Sequence, residues 1–212
     1  MRQVKISEIY KLEQTYTNAY LNKPLFRSFS IDKKIQKKVG PIVLHVLADY
    51  SPGEVEIYST DNTEGIAFWT RPGQVSTGKR NFLKWISKMI IKVGIINSIR
   101  VAKVLMSLDK KSDDLSKESD YYLFILAVDP KFQKQGFASQ LIKPMLKKFD
   151  KNKLTCSLDT TDSNNIKMYE HFGFEIKSVQ KINKYIKKYH MIRKPKNKIH
   201  NNKLGIVSKK FP

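Results

Sequence analysis

The stretch Val128-Asp129-Pro130-Lys131-Phe132-Gln133-Lys134-Gln135-Gly136-Phe137-Ala138-Ser139-Gln140-Leu141 closes one element and opens another. Before it lies Tyr121–Val128, apolar at both alternating sets of positions, the pattern of a strand buried on both faces. Asp129-Pro130 ends that strand, because proline has no N–H to continue a ladder. From Gly136 to Phe149 the apolar spacing becomes helical. Where a strand feeds a loop and then a helix, the N–H groups of the loop and first turn point outward without partners, and the helix dipole is positive there. Gly136 and Ala138 leave room for a phosphate oxygen to touch the backbone. The segment reads as an anion site suited to a diphosphate; read alone, a glycine at a strand-to-helix turn is more often only a turn glycine.

Downstream, Leu154–Leu158 is a short strand and Ser163–Phe172 a short helix closed by Gly173. Ile166 and Tyr169 share one face of that helix. Two strands follow, Phe174–Val179 and Tyr185–Ile192. Upstream, Ser7 is expected to cap a helix with Ile9, Leu12, Tyr16, Ala19 and Tyr20 on one face, stopped by Pro24. A second helix is expected over Lys33–Asp49, kinked or split by Gly40-Pro41. Ser51-Pro52-Gly53 is a turn, and Glu54–Ser59 with Gly65–Thr70 is a hairpin ended by Arg71-Pro72-Gly73. Helical spacing returns over Lys79–Val93 and Ile95–Leu108, followed by a polar loop over Lys110–Asp120. Helices and a hairpin followed by β-α-β-α-β-β predict an α+β fold. Its central sheet would be mixed and mostly antiparallel, with helices on both faces.

Composition narrows the function. The chain has 212 residues with 41% hydrophobic and 28% charged, which suits one globular core. Lys and Arg number 40 against 19 Asp and Glu, for a net charge of +21. The single cysteine, Cys156, reads as a core residue and excludes an intrachain disulfide. No apolar run of signal-peptide length opens the chain, and lysines and Arg100 interrupt Phe82–Leu108 too often for a membrane span. A cytoplasmic protein is expected. His45, His171, His190 and His200 lack ligand spacing, so no metal is expected. Trp69 and Trp85 are expected in the core or a pocket wall, with Phe68 or Trp69 lining an acceptor site. From Lys181 onward there are eleven Lys and Arg and no carboxylate, and residues 196–212 read as a basic tail after one domain at 1–195.

A buried strand, Gln133-x-x-Gly136-x-Ala138 at a helix start, a second strand, then Asn165-x-x-x-Tyr169-x-x-x-Gly173-Phe174 together resemble the GCN5-related N-acetyltransferases (GNAT). Ala19–Phe26 is similar to the first-helix segment of small-molecule members, and Gly65–Gly73 to their central hairpin strand. Cys156–Phe174 and Tyr189–Pro195 look most like the puromycin-type enzymes.

The resemblance implies acetyl-CoA as cosubstrate. It places Leu126, Ala127 and Val128 along the pantetheine arm. Gln133, Lys134, Gln135, Gly136, Phe137, Ala138 and Ser139 would lie around the pyrophosphate, and Asn165 near the pantetheine. It makes Tyr169 the general acid that protonates the departing thiolate. The amine would attack the thioester directly, with a backbone N–H near Leu126–Val128 holding the oxyanion. Glu64, Asp120 and Asp159, carboxylates near strand ends, are the candidates for taking the amine's proton. The implied acceptor is a primary amine of a small molecule, carried on a neutral or anionic body because Lys79–Lys111 is basic. The expected assembly is a monomer or homodimer. Two other classes fit the same residues: a basic protein associated with nucleic acid or the ribosome, including a protein N-acetyltransferase, and a non-catalytic coenzyme A binder.

Overall fold

The computed structural model describes residues 1–49, 55–71, 79–109, 118–182 and 186–196; of residues 79–83 and 107–109 it describes the backbone alone. The expected turn at Ser51-Pro52-Gly53, most of the loop before Asp120, and the basic tail beyond Lys196 lie outside the described residues.

The strands are β1 (Arg2–Gln3), β2 (Glu56–Ser59), β3 (Gly65–Thr70), β4 (Tyr121–Val128), β5 (Cys156–Thr160), β6 (Glu175–Lys181) and β7 (Lys187–Arg193). They form one sheet in the order β1-β2-β3-β4-β5-β7-β6. Only β4 and β5 run parallel; the other neighbours are antiparallel. The helices are α1 (Glu13–Tyr20), α2 (Pro24–Phe29), α3 (Lys33–Ala48), α4 (Lys79–Asp109), α5 (Phe137–Asn152) and α6 (Ile166–His171). One apolar cluster joins α1–α4 to Ile57, Ile66, Phe68, Ile125 and Ala127, and a second joins α5 and α6 to Ala67, Trp69, Leu123, Cys156 and Leu158. The sheet therefore has helices on both faces, as its sequence predicts.

Three expectations near the N-terminus are corrected. The first helix does not start at a Ser7 cap. A 3₁₀ segment, Ile6–Leu12, precedes α1, and Glu8 Oε2 accepts the Lys5 N–H at 3.5 Å. Pro24 does not merely stop a helix; it occupies the first turn of α2, where its missing N–H costs nothing. The chain turns into α2 through Asn22 at φ 63°, whose N–H donates to Gln36 Oε1 at 2.9 Å. Finally, α3 runs unbroken through Gly40 and Pro41. Gly40 serves a helix crossing: a Cβ there would sit 2.8 Å from Thr17 Cγ2 of α1. By contrast α4 does break where expected, at Gly94 with φ 80° and ψ 163°.

Two irregularities shape the centre of the sheet. Phe68 pairs with Ile125 but Trp69 pairs with Leu123, so Phe124 is an extra residue bulging from β4. On the other side, β4 and β5 are in register only over Tyr121–Leu123 and Cys156–Leu158. Beyond Leu123 the parallel strands diverge, and the β4–β5 register does not continue into residues 125–128.

Candidate active site

The divergence leaves an open backbone edge along the C-terminal half of β4, and the loop read from sequence stands at its end. Asp129 caps the turn Pro130–Phe132 by accepting the Lys131 N–H at 3.0 Å. Gln133 Nε2 donates to Val128 O at 3.1 Å and Gln135 Nε2 to Lys131 O at 3.3 Å, so both glutamines fold back on the loop. Lys134 (φ 63°) and Gly136 (φ 87°) are left-handed, and residues 131–136 are exposed. A Cβ on Gly136 would meet nothing within 4 Å. No side chain caps α5, so the amides of Phe137, Ala138 and Ser139 at its start are open to a ligand. The space beside the loop and the unused N–H groups fit a phosphate.

Helix α5 lies close over β3 because of a second glycine: a Cβ on Gly65 would sit 2.9 Å from Leu141 Cδ1. Two polar contacts tie α1 and α2 across the opening. Asn18 Nδ2 donates to Asp129 Oδ2 at 2.6 Å, and Lys23 Nζ donates to Asp162 Oδ2 at 2.8 Å. Burial pushes Asp162 up, but the bond from Lys23 and the Asn164 N–H outweigh it and hold the carboxyl below its ordinary range.

Tyr169 is buried, with its ring edge-on to Phe174 at 6.1 Å. Its hydroxyl has no hydrogen-bond partner among the described residues. Burial, then the neighbouring Tyr20 and Asp162, push its pKa well above the ordinary phenol value. Tyr20 and Tyr122 belong to the same group, and Tyr122 faces Asp159. Asn165 is half-buried in the 3₁₀ turn before α6, its N–H donating to Asp162 O at 3.0 Å.

The three candidate carboxylates separate clearly. Glu64 sits in the β2–β3 turn, accepting from Thr60 Oγ1 at 2.7 Å and from Asn62 N and Nδ2 at 3.2 and 3.1 Å. Those bonds, the Thr60 hydroxyl first, hold it low. Asp120 stands at the opposite end of β4 from the loop, accepting from Thr155 N at 2.7 Å and Thr155 Oγ1 at 2.9 Å. Asp159 alone joins the tyrosine group. Its Oδ1 is 2.7 Å from His190 Nδ1 and its Oδ2 is 3.1 Å from Lys188 Nζ. Burial pushes its pKa up, yet the His190 bond and the Lys188 charge prevail and keep it below the usual carboxylate range. The ionised carboxylate accepts from His190 Nδ1, and His190 Nε2 is buried with no hydrogen-bond partner among the described residues.

Sequence reasoning missed Asn18, Lys23, Tyr122, Lys188 and His190. Their signal is long-range pairing: Asp159 is directly opposite His190 in the β5–β7 ladder. The aromatic expectations resolve toward the core. Phe68 and Trp69 are both fully buried, in different clusters, and neither surfaces as an acceptor wall. Trp85 Nε1 donates to Asp49 Oδ2 at 3.0 Å, with Lys84 and Lys88 over its ring. Cys156 is fully buried, its thiol pushed up to about 12 by burial. Among the described residues no three His, Cys, Asp or Glu converge as a metal site, and no helix is long and apolar enough to cross a membrane.

Residues 101–176 match the family described as Acetyltransferase (GNAT) domain, a stretch that contains β4, the loop, α5, β5 and Tyr169. Several solved structures share the fold. A histone acetyltransferase HPA2 and related acetyltransferase from Corynebacterium glutamicum is 14% identical with a TM-score of 0.62, covering 92% of this chain and 96% of that one. The ribosomal-protein-S18-alanine N-acetyltransferase of Escherichia coli is 13% identical with a TM-score of 0.52, covering 94% and 96%. The Drosophila melanogaster polyamine N-acetyltransferase, which forms N-acetylagmatine, is 13% identical with a TM-score of 0.54, covering 91% and 98%. At these identities the likeness is one of fold. A search of curated protein sequences gives no match. The chain has the fold of the GNAT acetyltransferases, and the family match lies within its residues 101–176.

Proposed function

We propose that the chain is an acetyl-CoA-dependent N-acetyltransferase acting on a primary amine of a small molecule. The observation that carries this reading is the divergence of β4 from β5 along residues 125–128, which ends at an exposed loop with left-handed Lys134 and Gly136. An extended pantetheine arm fits such an edge as an added strand, with Ala127 and Val128 supplying backbone groups. Amides from Gly136 to Ser139 fit the pyrophosphate, and Lys134 adds charge.

Acetyl-CoA supplies the thioester that the amine attacks. A backbone N–H of β4 near Leu126–Val128, where the strand diverges from β5, stabilises negative charge on the carbonyl oxygen. Tyr169, kept protonated by burial, gives its proton to the leaving sulfur. Of the three candidate carboxylates, Asp159 is retained: it holds His190 and faces Tyr122 on the sheet side where α1 closes the opening. Glu64 and Asp120 are committed to a turn and to Thr155.

The acceptor class follows from what the cleft carboxylates already hold. Asp129, Asp159 and Asp162 are engaged by Asn18, by His190 and Lys188, and by Lys23. A polycation such as agmatine would find little unspent acidity there, whereas a single amine on a neutral or anionic body meets no such demand.

The test is calorimetric titration with acetyl-CoA at ~150 mM salt, with inorganic pyrophosphate as the polyanion control. A panel of amines follows, read by free-thiol release. One acetyl-CoA bound per chain, far tighter than pyrophosphate, with turnover on a monoamine, supports the reading. Binding without turnover on any amine leaves a coenzyme A binder. Binding no tighter than pyrophosphate overturns the reading.

A further inference from the structure

Helix α4 is inserted between β3 and β4 and packs on α2 and α3, leaving its outer side to solvent. That side is apolar where it bends. Ile91, Ile95, Ile96 and Ile99 are 83, 60, 72 and 50% exposed, and Ile90 is also exposed. All five lie within ten residues around the kink at Gly94, where one helical half ends and the next begins. Met106 extends the exposed stripe along the second half. Scattered exposed isoleucines are ordinary; five together on one bend are not.

The charge around this tip is of one sign. Residues 79–109 contain seven Lys and Arg and a single acid, Asp109. Exposed Lys88, Lys92 and Arg100 flank the isoleucines directly. An apolar tip ringed by cations suits a surface that offers hydrocarbon below and anions above. A second copy of the chain would bring its own Lys88, Lys92 and Arg100 against these, placing like charges around a closing apolar contact. Nucleic acid would satisfy the cations and leave the isoleucines in water.

We propose that the bend of α4 is a membrane-docking element, which seats Ile91, Ile95, Ile96 and Ile99 at the headgroup–acyl boundary of an anionic bilayer while Lys88, Lys92 and Arg100 pair with lipid headgroups. The helix lies in the interface rather than crossing it, in keeping with its lack of a spanning run. This inference is independent of the proposed chemistry.

The test uses the full chain and vesicles of phosphatidylcholine with roughly one-third phosphatidylserine, against pure phosphatidylcholine, at ~150 mM salt. A protein of charge +21 adheres to anionic vesicles by charge alone, so the deciding variant keeps every charge. Ile91→Ser/Ile96→Ser/Ile99→Ser is expected to lose at least tenfold in partitioning to anionic vesicles with its thermal melt unchanged, because all three side chains are exposed. Partitioning equal to the parent chain overturns the proposal and leaves simple charge adhesion. A second readout needs no loss of binding. Cys156 is buried with its thiol pushed up to about 12, so Ile91→Cys offers a single reactive thiol for an environment-sensitive fluorophore. A blue shift on adding anionic vesicles supports insertion, and an unchanged spectrum overturns it. A light-scattering mass that falls from dimer to monomer in the triple serine variant would also overturn it, assigning the tip to self-association.

Discussion

His190 and Asp159 face each other across the β7–β5 ladder, with Nδ1 2.7 Å from Oδ1, and Lys188 Nζ lies 3.1 Å from the other oxygen of the same carboxylate. Lys188 and His190 are 3 and 2% exposed, so the carboxylate balances charge where water does little screening. Asp159→Asn keeps the shape and removes the charge. It is expected to cost about 2–4 kcal/mol in urea unfolding, since charge-assisted bonds to both partners weaken together. Asp61→Asn, at an exposed ion pair with the N-terminus, is expected to cost under ~0.5 kcal/mol.

The same carboxylate sets part of the acid response. Asp150, Asp159 and Asp162 are all held below their ordinary range: Arg193 acts first on Asp150, and partner bonds outweigh burial on the other two. A depressed folded-state pKa contributes stability above the unfolded value, and that contribution is lost as pH falls through the folded value. Stability is therefore expected to be level above about pH 5 and to fall steadily below about pH 4. The Asp150→Asn/Asp159→Asn chain should start less stable and show a shallower fall, measured by urea midpoints across pH.

Tyr169 is held protonated through the neutral range by its burial. If it delivers the leaving-group proton, Tyr169→Phe lowers kcat by roughly 10²–10⁴-fold while KM for acetyl-CoA changes only a few-fold. Steady-state kinetics on the best amine decide this. An unchanged kcat would assign the proton to another donor.

Gly136 joins a left-handed backbone to empty space. Gly136→Trp is expected to cost about 1–2 kcal/mol of stability from φ alone. Its larger effect is on the ligand, because the indole projects into the volume assigned to the pyrophosphate. Acetyl-CoA affinity should fall at least ~100-fold by calorimetry, equivalent to about 2.7 kcal/mol.

The α1–α3 crossing offers a test of packing alone. Gly40→Ala places a methyl 2.8 Å from Thr17 Cγ2 and is expected to destabilise by about 1–3 kcal/mol. Thr17→Ala removes both atoms at the tip of that side chain, so the double variant should recover part of the loss in a double-mutant cycle.

Much of this architecture is legible in the chain because it is local. Tyr121–Val128 is long, apolar and bounded by Asp129-Pro130, and the strand occupies those residues. Gly94 breaks α4 where apolar spacing restarts. The loop through Gly136 and the helix bearing Tyr169 are likewise marked by short spacings. What stays hidden depends on distant partners. Strand β1 is two residues that pair with Tyr58 and Ser59, too short to leave a pattern. The bulge at Phe124 is masked because its neighbours are all apolar, so a slip of one residue changes no visible alternation. Lys188 and His190 are polar residues of the last strand, and nothing near them in sequence marks them as buried. They are buried because β7 lies between β5 and β6 and presents them to Asp159.

The short β4–β5 ladder has a mechanical consequence. Three registered pairs join the half-sheet β1–β4 to the half-sheet β5–β7, so this seam is, after the two-residue β1 edge, the shortest ladder in the sheet. Opening of the backbone at this seam would leave the antiparallel hydrogen bonds of each half closed. A molecule lying along Phe124–Val128 would act as a suture across that seam. It would turn two loosely coupled blocks into one unit that opens only by global unfolding, and amide exchange on both banks would slow together.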